Sequence, residues 1–281
     1  MSRLLIFGLG YTATRFADRM RVAGWHVAAT RRVAEAGAIA FDDEPAVRAE
    51  IAAATHILSS VPPVDGDDPV LARYGAVLRA TRWLGYLSST GVYGDVGGAW
   101  VDESAPIGHG RRNARAVADL AWQAFPHARI FRLPGIYGPG RSALDRVIAS
   151  RAHRIDLPDQ IFSRVHVDDI VTGLVAGLDG PAGIYNLADD HPASQNAVVE
   201  AACDLLGRPW PALQSLAEAE LSPMARGFYA ENRRVANGRA KRLLGWRPAF
   251  PDYRAGLRAL TATTSPASTS TAPHPACTDQ R

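Results

Sequence analysis

The start of the chain places an apolar run directly before a glycine-rich turn, and a helical pattern follows the turn. Residues 4–7 are Leu-Leu-Ile-Phe, the turn carries Gly8, Gly10 and Ala13, and the helix-like stretch covers 14–23. Gly8 permits a tight turn, Gly10 lets the main chain approach a bound group closely, and the small Ala13 lets the helix pack on its strand. This order predicts the first strand-turn-helix unit of an α/β fold.

The same segment predicts a binding site for a dinucleotide. Free N–H groups at a helix start, together with the helix dipole, attract the phosphates of such a ligand. We expect Tyr11 and Thr12, at that helix start, to join Gly8, Gly10 and Ala13 in the site. The alternative is a tight turn in an α/β protein that binds no nucleotide.

The second predicted strand indicates which dinucleotide is bound. It ends in Arg31 and Arg32, about twenty residues beyond the glycines, where an NAD-binding protein usually carries an acidic residue for the ribose 2′-hydroxyl. Asp42 and Asp43 come too late for that role. Arginine pairs with phosphate through a fixed fork of donors. Arg31 and Arg32 therefore favour NADP (NADPH) over NAD. The alternative is that the two arginines simply lie at a solvated strand end.

Composition excludes several classes of protein. The chain has 281 residues, 47% of them hydrophobic and 21% charged, which suits one large α/β domain or one domain with a small appendage. No apolar stretch approaches the roughly 20 residues of a membrane helix, and no leader pattern begins the chain. We therefore expect a cytoplasmic protein without a membrane partner. Cys203 and Cys277 form no C-x-x-C pair, which argues against a zinc site or a disulfide framework.

Charge argues against a nucleic-acid partner. The net charge is only +3, the arginines are scattered, and no long basic run with interleaved aromatic residues occurs. The partner that we expect is a small molecule carrying phosphate or carboxylate.

Short apolar runs alternate with helical patterns through the first half of the chain, as they do in βαβ units. The predicted strands are 4–7, 27–29, 39–41, 56–59, 84–88, 128–133 and 183–187. The predicted helices in this region are 12–23, 44–53, 69–82 and 111–124. Right-handed crossovers give a Rossmann-type doubly wound parallel sheet that binds its ligand at the carboxyl ends of the strands. Ser59 and Ser88, at two such strand ends, are expected to face the cofactor.

The remaining segments predict a small C-terminal substrate cap. Residues 1–140 and 165–190 are assigned to the NADP-binding domain, and 141–164 and 191–258 to the cap. Residues 261–281 contain hardly any large apolar side chains, so they cannot offset the entropy cost of ordering. They are predicted to be a disordered tail.

Several motifs together resemble one known family. The matching stretches, in family order over about residues 3–258, are the glycine turn, Ser-Ser-Thr-Gly-Val-Tyr-Gly (88–94), Arg-Leu-Pro-Gly-Ile-Tyr-Gly-Pro-Gly (132–140), Val-His-Val-Asp-Asp-Ile (165–170), Ile-Tyr-Asn-Leu (184–187) and Ala-Lys-Arg-Leu-Leu-Gly-Trp-Arg-Pro (240–248). This set resembles the extended and atypical short-chain dehydrogenases/reductases, also named the NAD(P)-dependent epimerase/dehydratase family. The resemblance implies hydride transfer, and it is compatible with a homodimer.

The resemblance also implies catalytic residues, and here the chain departs from the pattern. Ser89 matches the hydroxyl residue that holds the reacting oxygen. The family's Tyr-x-x-x-Lys acid/base pair is absent, because the only lysine is Lys241 and Asn237 stands four places before it. The best alignment puts Arg111 at the tyrosine position and Arg115 at the lysine position. Arginine stays protonated and cannot act as a base.

Other residues are candidates for proton transfer. A shift of two residues in the alignment puts His109 and Asn113 at the two positions, and a histidine can titrate near neutral pH. Tyr93, in the Val-Tyr-Gly motif, is a second candidate. The structural alternatives are a solvated loop histidine and a tyrosine that only supports the fold.

Two further motifs bear on the chemistry. His166 stands close to Asp168 and Asp169, which permits a metal or relay site, but helix capping by one of the aspartates is the favoured interpretation. After Ser89 comes Thr90-Gly91, where the family's dehydratases have Asp-Glu, so the resemblance argues against sugar dehydration.

Two functions remain open. The first is an NADP(H)-dependent oxidoreductase or epimerase that acts on a small polar substrate such as a nucleotide sugar, with Arg111, Arg115, Arg141 and Arg164 as ligands for phosphate or carboxylate. The second is an NADP(H)-binding regulator or complex subunit that has lost the chemistry. The retained Ser89 motif favours an enzyme, whereas the missing acid/base pair favours the regulator.

Overall fold

A computed structural model describes residues 2–35, 37–108, 110 and 113–264. The strands are β1 (Arg3–Phe7), β2 (His26–Arg31), β3 (Ile39–Ala40), β4 (His56–Ser59), β5 (Trp83–Ser89), β6 (Trp100–Val101), β7 (Ala128–Leu133), β8 (Gly135–Tyr137), β9 (Arg154–Ile155), β10 (Arg164–His166), β11 (Gly183–Asn186), β12 (Leu213–Gln214) and β13 (Arg234–Val235). The helices are α1 (Tyr11–Val22), α2 (Glu44–Ala53), α3 (Pro69–Leu78), α4 (Asn113–Gln123), α5 (Ala143–Ile148), α6 (Val167–Asp179), α7 (Gln195–Leu206), α8 (Pro223–Phe228), α9 (Gly238–Leu243) and α10 (Tyr253–Thr264). A 3₁₀ turn, Thr90–Tyr93, follows β5.

The central sheet has seven strands, all paired in parallel, in the order β11-β7-β5-β4-β1-β2-β3. The chain runs from β1 towards β3 on one side and then returns to β4 on the other side of β1. The switch point therefore lies between β1 and β4, where Phe7 and Ser59 are in register. In such sheets ligands bind outside the carboxyl ends of the strands at the switch point. The predicted Rossmann-type fold class is confirmed.

Both faces of the sheet are buried, which explains the nearly continuous apolar strands. Leu4 and Ile6 of β1 point to the side covered by α1 and α6. Leu5 and Phe7 point to the opposite side, which is covered by α2, α3 and α4. The period-two alternation of β1 thus feeds two separate cores, and each is closed by helices on its own face.

The cap is a smaller helical layer with its own apolar cluster. Helices α5, α7 and α10 meet around Leu144, Val199 and Leu257, all buried. Helix α7 begins at Ser194, whose hydroxyl accepts the N–H of Ala197 at 3.1 Å. It ends at Gly207, whose φ of +61° is the left-handed conformation that glycine adopts without strain.

Some assignments made from the sequence differ from the structure. Ala240 and Trp246, placed in the cap, belong instead to the core cluster on the sheet. The predicted helix 69–82 ends at Leu78. Residues 261–264, predicted to be tail, form the last turn of α10, where Thr261 donates its hydroxyl to the Leu257 carbonyl at 3.0 Å. The rest of the tail lies outside the described residues, and so do His109, Arg111 and Arg112.

Across the part of the chain that the structure describes, no helix combines the length and the apolar character that a bilayer span requires.

Gly177 allows α6 to lie close to the sheet. A Cβ added there would stand 2.6 Å from Cζ of the buried Phe131. The Gly177 carbonyl also accepts the indole N–H of Trp83 at 3.0 Å. In α3, by contrast, a Cβ added at Gly75 would meet its nearest neighbour, the Cβ of Leu71, at an ordinary 3.8 Å.

We expect Gly177→Ala to destabilise the protein by about 1–3 kcal/mol, because the overpacked core outweighs the gain in helix propensity. The control Gly75→Ala should instead gain about 0.5–1 kcal/mol. Urea unfolding of the two variants measures both effects. A Gly177→Ala variant as stable as Gly75→Ala would contradict the close packing of α6 on the sheet.

Candidate active site

A cavity of about 1120 Å³ opens at the switch point, between the sheet and the cap. Its sheet side is formed by the first turn of α1, by Ser60 after β4 and by the end of β5. The segment 133–137 after β7 continues the wall, and cap residues from 141 to 164 and from 195 to 257 close the far side. The cavity therefore occupies the place that the sheet topology assigns to a ligand.

The glycine turn has the geometry predicted for a phosphate site. Gly8 has φ +83°, and a Cβ there would lie 2.9 Å from a methyl group of Val61. Gly10 precedes α1 and faces open space, since a Cβ placed there would have no atom within 4 Å. No side chain caps α1, and its first turn contains no acidic residue. The N–H groups at this helix start are thus available to an anion.

Tyr11, the first residue of α1, has two guanidinium groups over its ring. Arg15 lies 5.3 Å and Arg141 lies 5.7 Å from the centre of its ring. The Tyr11 hydroxyl donates to the Pro139 carbonyl at 3.0 Å, and burial raises its pKa. Arg141, predicted as a substrate ligand, thus stands beside the helix start, where the pyrophosphate of a dinucleotide is expected.

Three predicted cofactor side chains, those of Ser59, Arg31 and Arg32, do not line the cavity wall. Ser59 is fully buried at the end of β4, whereas the neighbouring Ser60 faces the cavity and donates its hydroxyl to the Gly8 carbonyl. Arg31 is the last residue of β2 and lies outside the cavity lining. Arg32, the next residue, also lies outside the lining. The Arg31 guanidinium donates to Glu35 at 2.8 Å, and both side chains are partly exposed.

Ser88 and Ser89 end β5 with opposite orientations. The nearly buried Ser88 lies at the cavity floor and donates its hydroxyl to Asp119. Ser89 borders the cavity and accepts the N–H of Gly91 at 3.1 Å, which caps the 3₁₀ turn. The acceptor role leaves the Ser89 O–H as a hydrogen-bond donor.

A buried ion pair supports this turn from below. The Arg132 guanidinium, only 1% exposed, donates to both carboxylate oxygens of Asp119 at 3.1 and 2.8 Å. It also donates to the Tyr93 hydroxyl at 3.0 Å, and Tyr93 donates to Asn186 at 2.8 Å. Tyr93, a candidate proton donor, is 2% exposed and lies outside the cavity lining, and burial raises its pKa. Its geometry is that of a structural residue.

The structure brings Arg115 to the cavity together with Ser89. Glu231 also lines the cavity, and sequence reasoning missed it because no motif surrounds it. Arg233 donates to Glu231 at 2.9 Å and to the Gly94 carbonyl at 2.7 Å. These bonds hold the carboxylate beside the turn that follows Ser89. His109 and Arg111, the remaining catalytic candidates, lie outside the described residues.

Cationic side chains dominate the described lining. They are Arg115, Arg141, Arg146, Arg151, Arg164 and Arg233. Glu231 is the only carboxylate in that part of the lining. The cavity therefore favours anions.

Arg164, predicted as a ligand for a substrate anion, is instead used by the cap itself. It is 7% exposed and donates to the carbonyls of Phe162 and Ala193 at 2.9 and 2.8 Å. It also donates to the amide oxygen of Gln195 at 3.2 Å. Burial lowers its pKa to about 10, so the residue stays charged at neutral pH.

The helix after β10 is capped differently from the prediction. His166 itself precedes α6, and its Nδ1 accepts the N–H of Asp168 at 3.3 Å. Asp169 instead binds the backbone N–H groups of Ala249 and Phe250 at 2.6 and 3.1 Å. Among the described residues, no cluster of metal-ligating side chains occurs at this point or elsewhere.

Comparison with known proteins adds evolutionary evidence. A functionally unknown conserved protein from Silicibacter pomeroyi DSS is 40% identical, with 94% of this chain and 99% of that chain covered and a TM-score of 0.83. A human epimerase family protein solved with NADPH is 16% identical, with 92% and 99% covered and a TM-score of 0.72, which shows the shared fold. No family model matches the chain.

A curated relative has a named reaction. The 3-diazoavenalumate denitrifying reductase from a Streptomyces species is 34% identical over 140 residues, which cover 46% of this chain and 45% of that protein. The match thus covers less than half of the reductase. The solved structures that share the fold include an epimerase family protein, which agrees with the resemblance seen in the motifs of this chain.

The Arg132–Asp119 pair yields a prediction about stability. Asp119→Asn keeps the shape but leaves a buried guanidinium without its counter-ion, so the free energy of unfolding should fall by about 3–5 kcal/mol. The control Glu50→Gln breaks a partly exposed pair with Arg3 (3.3 Å) and should cost under about 1 kcal/mol. Chemical denaturation compares the two variants. Equal losses would show that the buried pair does not stabilise the fold more than a surface pair does.

Proposed function

We propose that the protein is an NAD(P)(H)-dependent oxidoreductase of the reductase or epimerase type, acting on a small anionic substrate. The observation that carries the proposal is that the uncapped start of α1 and the Ser89 hydroxyl border one cavity. The partial relative that is a reductase by name supports a reduction, and the human family member solved with NADPH supports the cofactor class.

The residues present fit a nicotinamide dinucleotide. The open space at Gly10 admits a pyrophosphate, and Tyr11 with Arg141 borders that space. The cofactor, when bound, supplies or accepts a hydride. Ser89 donates a hydrogen bond to the reacting oxygen, and the Arg115 guanidinium stabilises negative charge that develops there. The arginine offers charge stabilisation but no proton acceptor.

We further propose a preference for NADP(H) over NAD(H). The Arg31–Glu35 pair is partly exposed, and such pairs are worth only about 0–1 kcal/mol. A 2′-phosphate, with more charge and more acceptor oxygens than a carboxylate, therefore competes well for Arg31. Arg32, next along the chain, is exposed and adds a second positive charge.

We expect NADPH to bind at least tenfold more tightly than NADH. Removing Arg31 and Arg32 together (R31A/R32A) should abolish the preference, since a hydrogen bond to a charged group contributes about 1.5–3 kcal/mol. The control Arg21→Ala, which removes an exposed pair with Asp18 near the other end of α1, should keep it. Fluorescence titration with both cofactors measures the ratio. Equal affinities in the parent protein would exclude the preference.

The second candidate function is a cofactor-binding regulator or complex subunit. It is favoured by the absent Tyr-x-x-x-Lys pair and by the burial of Tyr93 in a structural network. Turnover distinguishes the two functions. A protein that binds NADPH but reduces no member of a broad panel of anionic carbonyl compounds and other electrophiles is the regulator.

For the enzyme, we expect Ser89→Ala to lower kcat by about 10²-fold, the usual loss for one donor to a developing oxyanion. NADPH affinity should not change, because the hydroxyl acts on the substrate. Ser104→Ala, in an exposed turn bonded to Asp102, is the control. Steady-state NADPH oxidation gives kcat, and a binding titration gives the affinity. Unchanged kcat in Ser89→Ala would remove Ser89 from the reaction.

A further inference from the structure

The cap contributes an aromatic wall to the cavity. Phe162, Phe228 and Tyr229 all line it. The rings of Phe162 and Tyr229 pack edge to face, with centroids 5.6 Å apart. The Phe228 side chain is 50% exposed although it belongs to the cavity lining. Flat apolar surface of this kind gains free energy when a planar ring covers it, beyond the gain from area alone.

Two arginines of the cap, Arg146 and Arg151, also line the cavity. The chain turns back after α5, so that the Arg151 N–H donates to the Arg146 carbonyl at 2.8 Å, and both side chains line the cavity. Neither guanidinium has a carboxylate within 4.0 Å among the residues that the structure describes. The nearby Asp145 carboxylate is used by the N–H and hydroxyl of Ser142, at 2.7 and 2.6 Å.

Arg146 is an exposed cation with no carboxylate partner within 4.0 Å among the described residues. Nearby protein atoms lower the pKa of its guanidinium by desolvation, while Tyr229 and Asp145 act in the opposite direction. Arg146 lines the same cavity as Tyr229 and Phe228. An anion that binds Arg146 would gain charge-assisted hydrogen bonds, and a ring attached to that anion would lie in the cavity that the aromatic wall borders.

The polar groups of this region are poorly suited to a sugar ring. Sugar hydroxyls need donors and acceptors that are not already engaged. The Gln195 amide oxygen accepts from Arg164, and the Ser163 hydroxyl oxygen accepts the N–H of Val235 at 2.9 Å. Glu231 is bonded to Arg233. The wall therefore offers rings and positive charge, and the acceptor oxygens of the polar groups named above are already engaged.

We propose that the substrate is a planar aromatic compound carrying a carboxylate or a phosphate, an inference that rests on the proposed function. The ring packs on Phe228 and Tyr229, and the anionic group binds the guanidinium of Arg146 with support from Arg151. The aromatic wall thereby selects against aliphatic acids and free sugars.

The test is a calorimetric titration of the full chain in the presence of NADPH. The probes are benzoate, phenyl phosphate, cyclohexanecarboxylate and UDP-glucose. Benzoate and cyclohexanecarboxylate differ in the planar ring, and benzoate and phenyl phosphate differ in the anion. We expect one of the two aryl anions to bind at least about tenfold more tightly than cyclohexanecarboxylate, and the better one identifies the anionic group.

Variants locate the site. Arg146→Gln should weaken aryl-anion binding at least about tenfold, and Phe228→Leu should weaken it several-fold. Arg146→Lys keeps the positive charge but loses the forked donors of the guanidinium, so it should give an intermediate affinity. This variant replaces Arg146→Gln in the test if Arg146→Gln does not fold. The controls are Arg208→Gln, which removes bonds to the carbonyls of Val147 and Ile148, and Trp210→Leu, an exposed ring outside the cavity lining.

Three results would overturn the inference. The first is equal binding of benzoate and cyclohexanecarboxylate, or no binding of either aryl anion. The second is binding of UDP-glucose alone, which would make the substrate a nucleotide sugar. The third is aryl-anion binding that is unchanged in both Arg146 variants. Aryl-anion binding without turnover of aryl electrophiles would contradict the proposed reaction and leave the binding site standing. Turnover of a non-aromatic substrate alone would support the proposed reaction and contradict the aromatic substrate.

Discussion

The buried ion pair between Arg132 and Asp119 organises the floor of the cavity. It joins β7 to α4, and through Ser88 and Tyr93 it extends to the end of β5 and the turn that follows. A guanidinium with 1% exposure is tolerated only when its donors are satisfied, and here a carboxylate and a phenol satisfy them. The position of Ser89 depends on this network, because the turn that Ser89 caps contains Tyr93.

The network also explains why Tyr93 is unsuited to chemistry. A phenol that donates to Asn186 and accepts from Arg132 has both of its hydrogen-bonding roles filled by protein. Transferring its proton would put a negative charge in a site where burial already raises the pKa. The motif that carries Tyr93 is therefore retained for the geometry of the turn, and the cavity must obtain its chemistry from other groups.

Sequence patterns predicted the central fold well, because the signals were local and strong. The glycine turn fixed the first unit, and the strand predicted at 56–59 matches β4. The structure differs from the prediction at Ser59, which is buried at the end of β4, whereas the next residue, Ser60, borders the cavity. Successive residues of a strand point to opposite faces, so a shift of one residue reverses the assignment. Ser88 and Ser89 both line the cavity.

Other site features depend on contacts that are distant in sequence. Glu231 reaches the turn after Ser89 because Asn232 binds two separate segments of the chain. Its N–H donates to Asp95, and its side chain binds the backbone of Asp159 and Ile161. No local pattern predicts such bonds. The contacts of Arg164 could not be predicted for the same reason, since its partners, the carbonyl of Ala193 and the side chain of Gln195, come from the segment that begins α7.

The balance of charges in the cavity constrains the reaction that such a site can promote. A helix start and several guanidiniums stabilise anions, and a hydroxyl orients an oxygen, but the described lining holds few groups that exchange a proton near neutral pH. The carboxylate of Glu231 is already paired with the Arg233 guanidinium at 2.9 Å. Hydride transfer to an electrophile that is already activated fits this set of groups better than the reduction of an unactivated ketone. An activated electrophile needs positive charge around its anionic group and little help from an acid, which is what the arginines supply.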